Sequence, residues 1–136
     1  MARLYVDTSA FYAALVRDDV NHSAARETLD RLRKEDAELV TSSYVVQETI
    51  ALLQHRWGVE AVRDWQRLVE PGLTIIWIDA EIHRRALIAL LASGGRRFSL
   101  ADWSSFEVIR EERIARAFAF DQHFQNRGFE VIPEAD

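Results

Sequence analysis

Three apolar residues near the start of the chain, Leu4-Tyr5-Val6, run directly into a carboxylate and two hydroxyls, Asp7, Thr8 and Ser9. An apolar run this short reads as a central strand buried on both faces, as in parallel sheets. A strand of that kind can place a carboxylate only at its end, where sheet meets solvent. In open α/β sheets that end is where ligands bind. Asp7 is therefore either the floor of a site or the N-cap of the following helix.

The rest of the chain repeats the pattern. A first helix is expected over Thr8 to Val16 and a second over His22 to Glu35, whose Ala25, Leu29 and Leu32 share one face. Leu39-Val40-Thr41 reads as a strand, and Ser42-Ser43 then opens a third helix to about Arg56. Gly58 breaks that helix, and Val59 to Glu70 makes a fourth before the Pro71-Gly72 turn. Leu73 to Ile78 is almost continuously apolar, as a central parallel strand would be, and Asp79 caps a fifth helix, Ala80 to Ala92. Gly94-Gly95 supplies a left-handed stop. A sixth helix over Ser99 to Arg113, a strand over Ala115 to Phe120, a helical turn at Gln122 to Gln125 and a last strand, Phe129 to Ile132, complete the order. Strands separated by helices predict an α/β fold with a parallel sheet and helices on both faces. The 136 residues fit one domain, 1–136, with no repeat or linker.

Composition narrows the class. There is no cysteine, so neither disulfides nor thiolate chemistry are available. The net charge of −5, from 22 acids against 17 bases, argues against a passive nucleic-acid coat. It leaves room for an enzyme whose acidic pocket holds divalent ions, because the ions reverse the local field. No leader-like segment precedes the first strand, and no apolar run nears the ~20 residues that span a bilayer. A cytoplasmic protein without a membrane partner is expected.

Four carboxylates fall near strand ends or one turn into a helix: Asp7, Glu48, Asp102 and Asp121. Each has an ordinary structural alternative. Asp7 suits an N-cap, Glu48 sits just outside the apolar arc of its helix, and Asp121 suits a turn. Ser99-Leu100-Ala101-Asp102 fits a capping box. Yet Asp102, Phe106 and Ile109 share the i, i+4, i+7 spacing, which places the aspartate in the apolar stripe, where it needs a cation or donors to stay ionised. Together the four make a hard-oxygen site suited to Mg²⁺ or Mn²⁺. Asp79 reads as a plain N-cap. His22, His55, His83 and His123 show no metal-ligand spacing, and surface or cap roles are expected. The tryptophans, Trp57, Trp65, Trp77 and Trp103, are expected in core positions.

These residues also carry a family resemblance. Tyr5-Val6-Asp7-Thr8-Ser9-Ala10, Val45-Val46-Gln47-Glu48, Ser99-Leu100-Ala101-Asp102 and Ala119-Phe120-Asp121-Gln122-His123-Phe124 resemble, in order and spacing, the four signature segments of PIN-domain ribonucleases. The similarity is greatest to the small VapC-type toxins and their stand-alone relatives. It implies a three-layer α/β/α sandwich, a five-stranded parallel sheet in the order 3-2-1-4-5, and metal-dependent endonuclease cleavage of RNA. Asp7, Glu48, Asp102 and Asp121 match the family's acidic quartet, all of them candidates both for catalysis and for the metal. Ser9 and Ser99 fall where the family has supporting hydroxyls. The family commonly has a Thr two residues before its last Asp, and here Ala119 stands there. The resemblance further implies a homodimer, with faces near Tyr12 or Trp65 as candidates, and a cognate antitoxin. Single-stranded or looped RNA is the expected substrate, since a rim site must reach an unpaired backbone. Arg96 and Arg97 are candidates for flanking-phosphate contacts.

Two other classes compete. A catalytically silent PIN module would bind RNA or a protein without cleaving it. A phospho-acceptor receiver domain would need a late lysine, but the sole lysine is Lys34; an Asp-x-Asp phosphatase fails because Ser9 holds the second position.

Overall fold

The computed structural model describes residues 2–134. Five parallel strands form one sheet: β1 (Arg3–Val6), β2 (Glu38–Ser42), β3 (Leu73–Ile76), β4 (Arg116–Phe118) and β5 (Glu130–Ile132), in the order β3-β2-β1-β4-β5. The expected fold class and strand order are those observed. β1 is the central strand, and Leu4, Tyr5 and Val6 are at most 1% exposed.

The helices are α1 (Thr8–Leu15), α2 (His22–Lys34), α3 (Ser43–Trp57), α4 (Val59–Asp64), α5 (Ala80–Ala92), α6 (Leu100–Glu112) and α7 (His123–Asn126). The chain steps from β1 out to β3, then returns across β1 to β4 and β5. Right-handed crossovers in those two directions put helices on opposite faces of the sheet. α1 packs against α2 and α3, α5 packs against α6, and α3 also meets α6. The α3–α6 meeting closes the carboxyl edge of the sheet and positions the site. Among the described residues, no helix is long and apolar enough to cross a membrane.

Most elements start and stop as their residues dictate. Asp7, Ser42, Asp79 and Ser99 each accept a backbone N–H as the N-cap of α1, α3, α5 and α6. Gly94 and Gly95 adopt φ of 79° and 68° after α5, the left-handed stop their sequence implies. α4 does not run to Glu70. It gives way at Trp65–Val69 to wide i→i+5 turns and then to a tight turn at Glu70–Gly72. The bulge coincides with the seating of Trp65, which is fully buried edge-on against Phe11, with ring centroids 4.8 Å apart.

Three readings of the sequence are corrected. The run Leu73 to Ile78 is an edge strand, not a central one, and it ends at Ile76. Its ladder partner β2 stops at Ser42, opposite Ile76, so residues beyond have nothing to pair with; the Ile78 N–H is taken by Ser43 Oγ at 2.9 Å. Trp77 consequently stands 73% exposed, and Trp57, the last residue of α3, is 50% exposed, so neither belongs to the core. β4 ends at Phe118 rather than Phe120 because the next residues leave the ladder toward α1: the Phe120 N–H donates to Ser9 Oγ at 3.0 Å.

Candidate active site

Asp7 follows β1 directly, and its N–H donates to the Phe118 carbonyl at 3.1 Å, which ties it to the end of β4. Its carboxylate is 6% exposed. Oδ2 accepts the Ser9 hydroxyl at 2.7 Å and the Ser9 N–H at 3.2 Å, so the residue caps α1 and faces the cavity at once. The two readings open in the sequence are compatible. Burial pushes the Asp7 carboxyl up to about 6; the Ser9 hydrogen bonds oppose the shift, and the charges of Asp102 and Glu48 add to it.

The other three acids arrive from separate elements. Glu48 lies inside α3, roughly two turns from the Ser42 cap, and is half-buried. Asp102 is the third residue of α6 and completes the capping box: Ser99 Oγ accepts the Asp102 N–H at 3.1 Å, and Asp102 Oδ2 accepts the Ser99 N–H at 3.0 Å. Its side chain is only 15% exposed. Asp121 lies three residues beyond β4, with Oδ1 accepting the His123 N–H at 3.3 Å. All four line one open cavity of about 980 Å³. Ser9 and Ser99 line it as well, and Asp79 does not.

The hydroxyl of Ser9 has a double role. It donates to Asp7 and accepts from the Phe120 N–H, joining the start of α1 to the loop that carries Asp121. Ala119, which stands where the family commonly has a Thr, is 2% exposed and does not line the cavity.

The cavity also holds residues outside the expected site set, His123, Thr8 and Arg56 among them. His123 was expected at the surface or in a cap, but it sits between two of the acids. Nδ1 is 3.1 Å from Asp102 Oδ2, though without hydrogen-bond alignment, and Nε2 is 3.4 Å from Asp121 Oδ1. Its position two residues after Asp121, at the start of α7, was the available signal. Thr8 lines the cavity and is 7% exposed, and its Oγ1 is buried without a hydrogen-bond partner among the described residues. Arg56 lines the cavity beside Tyr12, whereas of the expected pair only Arg97 does; Arg96 is exposed elsewhere on the loop.

The cavity therefore offers the hard oxygens of five carboxylates, counting Asp19, beside the His123 imidazole and against the guanidinium groups of Arg56 and Arg97. A divalent cation suits such a set in its chemistry, and it would relieve the repulsion felt at Asp7. Among the described residues no three acidic or histidine side chains already converge as a cage. Asp102 is engaged with Ser99 and His123, and Asp121 with His123, so an ion would have to draw them inward.

Comparison with known proteins agrees with this fold. The family model described as "PIN domain" matches residues 4–130. The "23S rRNA-specific endonuclease VapC20" of Mycobacterium tuberculosis is 32% identical over 134 residues, covering 96% of this chain and 99% of that protein. Its crystal structure, described as a "Sarcin-Ricin loop cleaving toxin", superposes with a TM-score of 0.78 at 31% identity, over 93% of this chain and 95% of that one. A "VapC ribonuclease" of Archaeoglobus fulgidus is 28% identical over 122 residues, covering 88% of this chain and 77% of the other. VapBC2 from Rickettsia felis, solved with a DNA fragment from its promoter, shares the fold, with a TM-score of 0.70 at 14% identity over 95% of this chain and 96% of that one.

Proposed function

The chain belongs to the PIN domain family, and from that membership we propose that it is a metal-dependent endoribonuclease, the toxin of a toxin–antitoxin pair or a stand-alone relative. The observation that carries the proposal is the meeting of Asp7, Glu48, Asp102 and Asp121 in one cavity at the carboxyl edge of the sheet.

The residues take distinct parts. Asp7 and Asp102 would hold the principal ion, Mg²⁺ or Mn²⁺, while Glu48 and Asp121 would orient water or hold a second ion. A bound divalent ion supplies a lowered water pKa and charge neutralisation at the scissile phosphate. Ser9 fixes the Asp7 carboxylate and holds the Asp121 loop against α1. Ser99 holds Asp102 at the start of α6. Arg97 contacts a flanking phosphate; Arg96, outside the cavity, has no such part.

The substrate is RNA, single-stranded or looped, because the cavity is an edge cleft that an unpaired backbone can enter. The VapC20 relative is described as cleaving a loop, the sarcin–ricin loop. A cognate antitoxin and a second copy of the chain are the proposed partners. The Leu87, Ile88 and Leu91 ridge of α5, 37%, 67% and 71% exposed, suits the second copy. Trp65, being fully buried, does not.

The test is to sequence RNA fragments after induced expression of the wild type beside Asp102→Asn. New, position-specific 5′ ends in the wild type alone support a nuclease. Matching profiles favour the silent module.

A further inference from the structure

A second cluster lines the same cavity at a distance from the acids. Tyr12 lies four residues after Thr8 on α1, so both side chains share a face one helical turn apart. The Tyr12 hydroxyl accepts the Arg56 guanidinium at 3.2 Å and the Trp57 indole N–H at 3.1 Å. The Arg56 guanidinium also lies over the Tyr12 ring, 5.4 Å from its centroid. Arg56 has no carboxylate partner among the described residues, unlike Arg63, Arg67 and Arg85, which pair with acids on their own helices. Asp19, the carboxylate at this end, already accepts the Asn21 N–H at 2.8 Å.

A phenol oxygen accepts through its lone pairs and donates once. With Arg56 and Trp57 both donating to it, the Tyr12 O–H is left to donate outward. Desolvation pushes the phenol up, and the Arg56 and Trp57 hydrogen bonds more than reverse this, which strengthens it as a donor. A guanidinium and an O–H side by side form a two-pronged site for a phosphodiester oxygen.

Resting on the nuclease reading above, we propose that Tyr12 and Arg56 form a subsite for an RNA phosphate flanking the scissile one. The strand enters over Thr8 and follows the cavity face of α1 toward the end of α3. Arg97 lines the same cavity and supplies its second guanidinium group. Arg56 acts as the charge contact and Tyr12 as the neutral hydrogen bond that fixes the phosphate's orientation.

The experiment measures binding of a fluorescein-labelled RNA stem-loop bearing the sarcin–ricin sequence, in EDTA, across a salt series. Wild type, Arg56→Gln, Tyr12→Phe and Arg63→Gln are compared, each checked for an unaltered melting curve. Arg63→Gln removes one charge from an exposed i,i+3 pair outside the cavity. Arg56→Gln is expected to weaken binding about tenfold and to flatten the salt slope by about 0.7, the contribution of one single-strand phosphate. Tyr12→Phe is expected to weaken binding severalfold without changing the slope, and Arg63→Gln to change neither. Affinity and slope equal to wild type in a folded Arg56→Gln overturn the subsite alone. A wild type that binds no RNA in this assay, and cuts none once Mn²⁺ replaces the EDTA, overturns both the subsite and the nuclease reading.

Discussion

Asp7 caps a helix and faces a cavity full of like charge, and the two roles pull against each other. Its carboxyl is raised from 3.8 to about 6, chiefly by burial, so the folded chain binds a proton more tightly than the unfolded chain. The resulting stabilisation is complete below about 3.8 and is lost as pH rises through about 6. Without divalent ions, the wild type should lose roughly 3 kcal/mol of stability across that window from this residue. In Asp7→Asn that part of the slope should vanish, so urea melts in EDTA at neutral pH should find the variant more stable than the wild type. The same substitution should lower RNA cleavage by at least about 100-fold, the scale of losing one electrostatic contact to the transition state. Gain of stability with loss of cleavage marks a residue kept for function rather than folding.

At the scale of elements, the site is assembled by caps. Ser9 joins α1 to the loop after β4, and Ser99 seats Asp102 on α6. Ser9→Ala removes a hydrogen bond to a buried carboxylate and leaves the Phe120 N–H unmet. It should cost about 1–2 kcal/mol in chemical denaturation and lower cleavage together with stability. Ser9→Thr, which keeps the hydroxyl, should restore most of both. These caps explain what could be read from the sequence. Asp7, Asp79 and Ser99 announce helix starts by local chemistry, and two of the four acids, Asp7 and Asp121, lie within three residues of a strand end. What pattern could not show was where elements meet. Leu73 to Ile78 looks central because apolar composition does not reveal that β2 ends opposite Ile76. Trp57 and Trp77 look like core residues for the same reason. His123 could be suspected from its place two residues after Asp121, but Arg56 enters the cavity only because the end of α3 lies beside Tyr12, an approach that no spacing in the sequence encodes.

For the whole molecule, charge and surface decide behaviour. A chain of net charge −5 meets a polyanion, so cavity cations and bound divalent ions must overcome the average field. Saturating Mn²⁺ or Mg²⁺ should therefore stabilise the wild type, by about 2.7 kcal/mol at a hundredfold excess over the dissociation constant. Asp7→Asn and Asp102→Asn should gain little, as thermal melts with and without EDTA would show. The apolar ridge of α5 should hold two copies together, so Leu91→Glu should shift light-scattering mass from dimer to monomer while leaving the melting temperature of the fold close to wild type. An unchanged mass would remove α5 from the dimer interface. The most direct measurement of the central claim is purified protein on an end-labelled RNA stem-loop, with Mn²⁺ or EDTA, beside Asp7→Asn. The account expects discrete internal cuts by the wild type in Mn²⁺, and none in EDTA or in the variant. Equal cutting by the variant, or cutting that persists in EDTA, would contradict it.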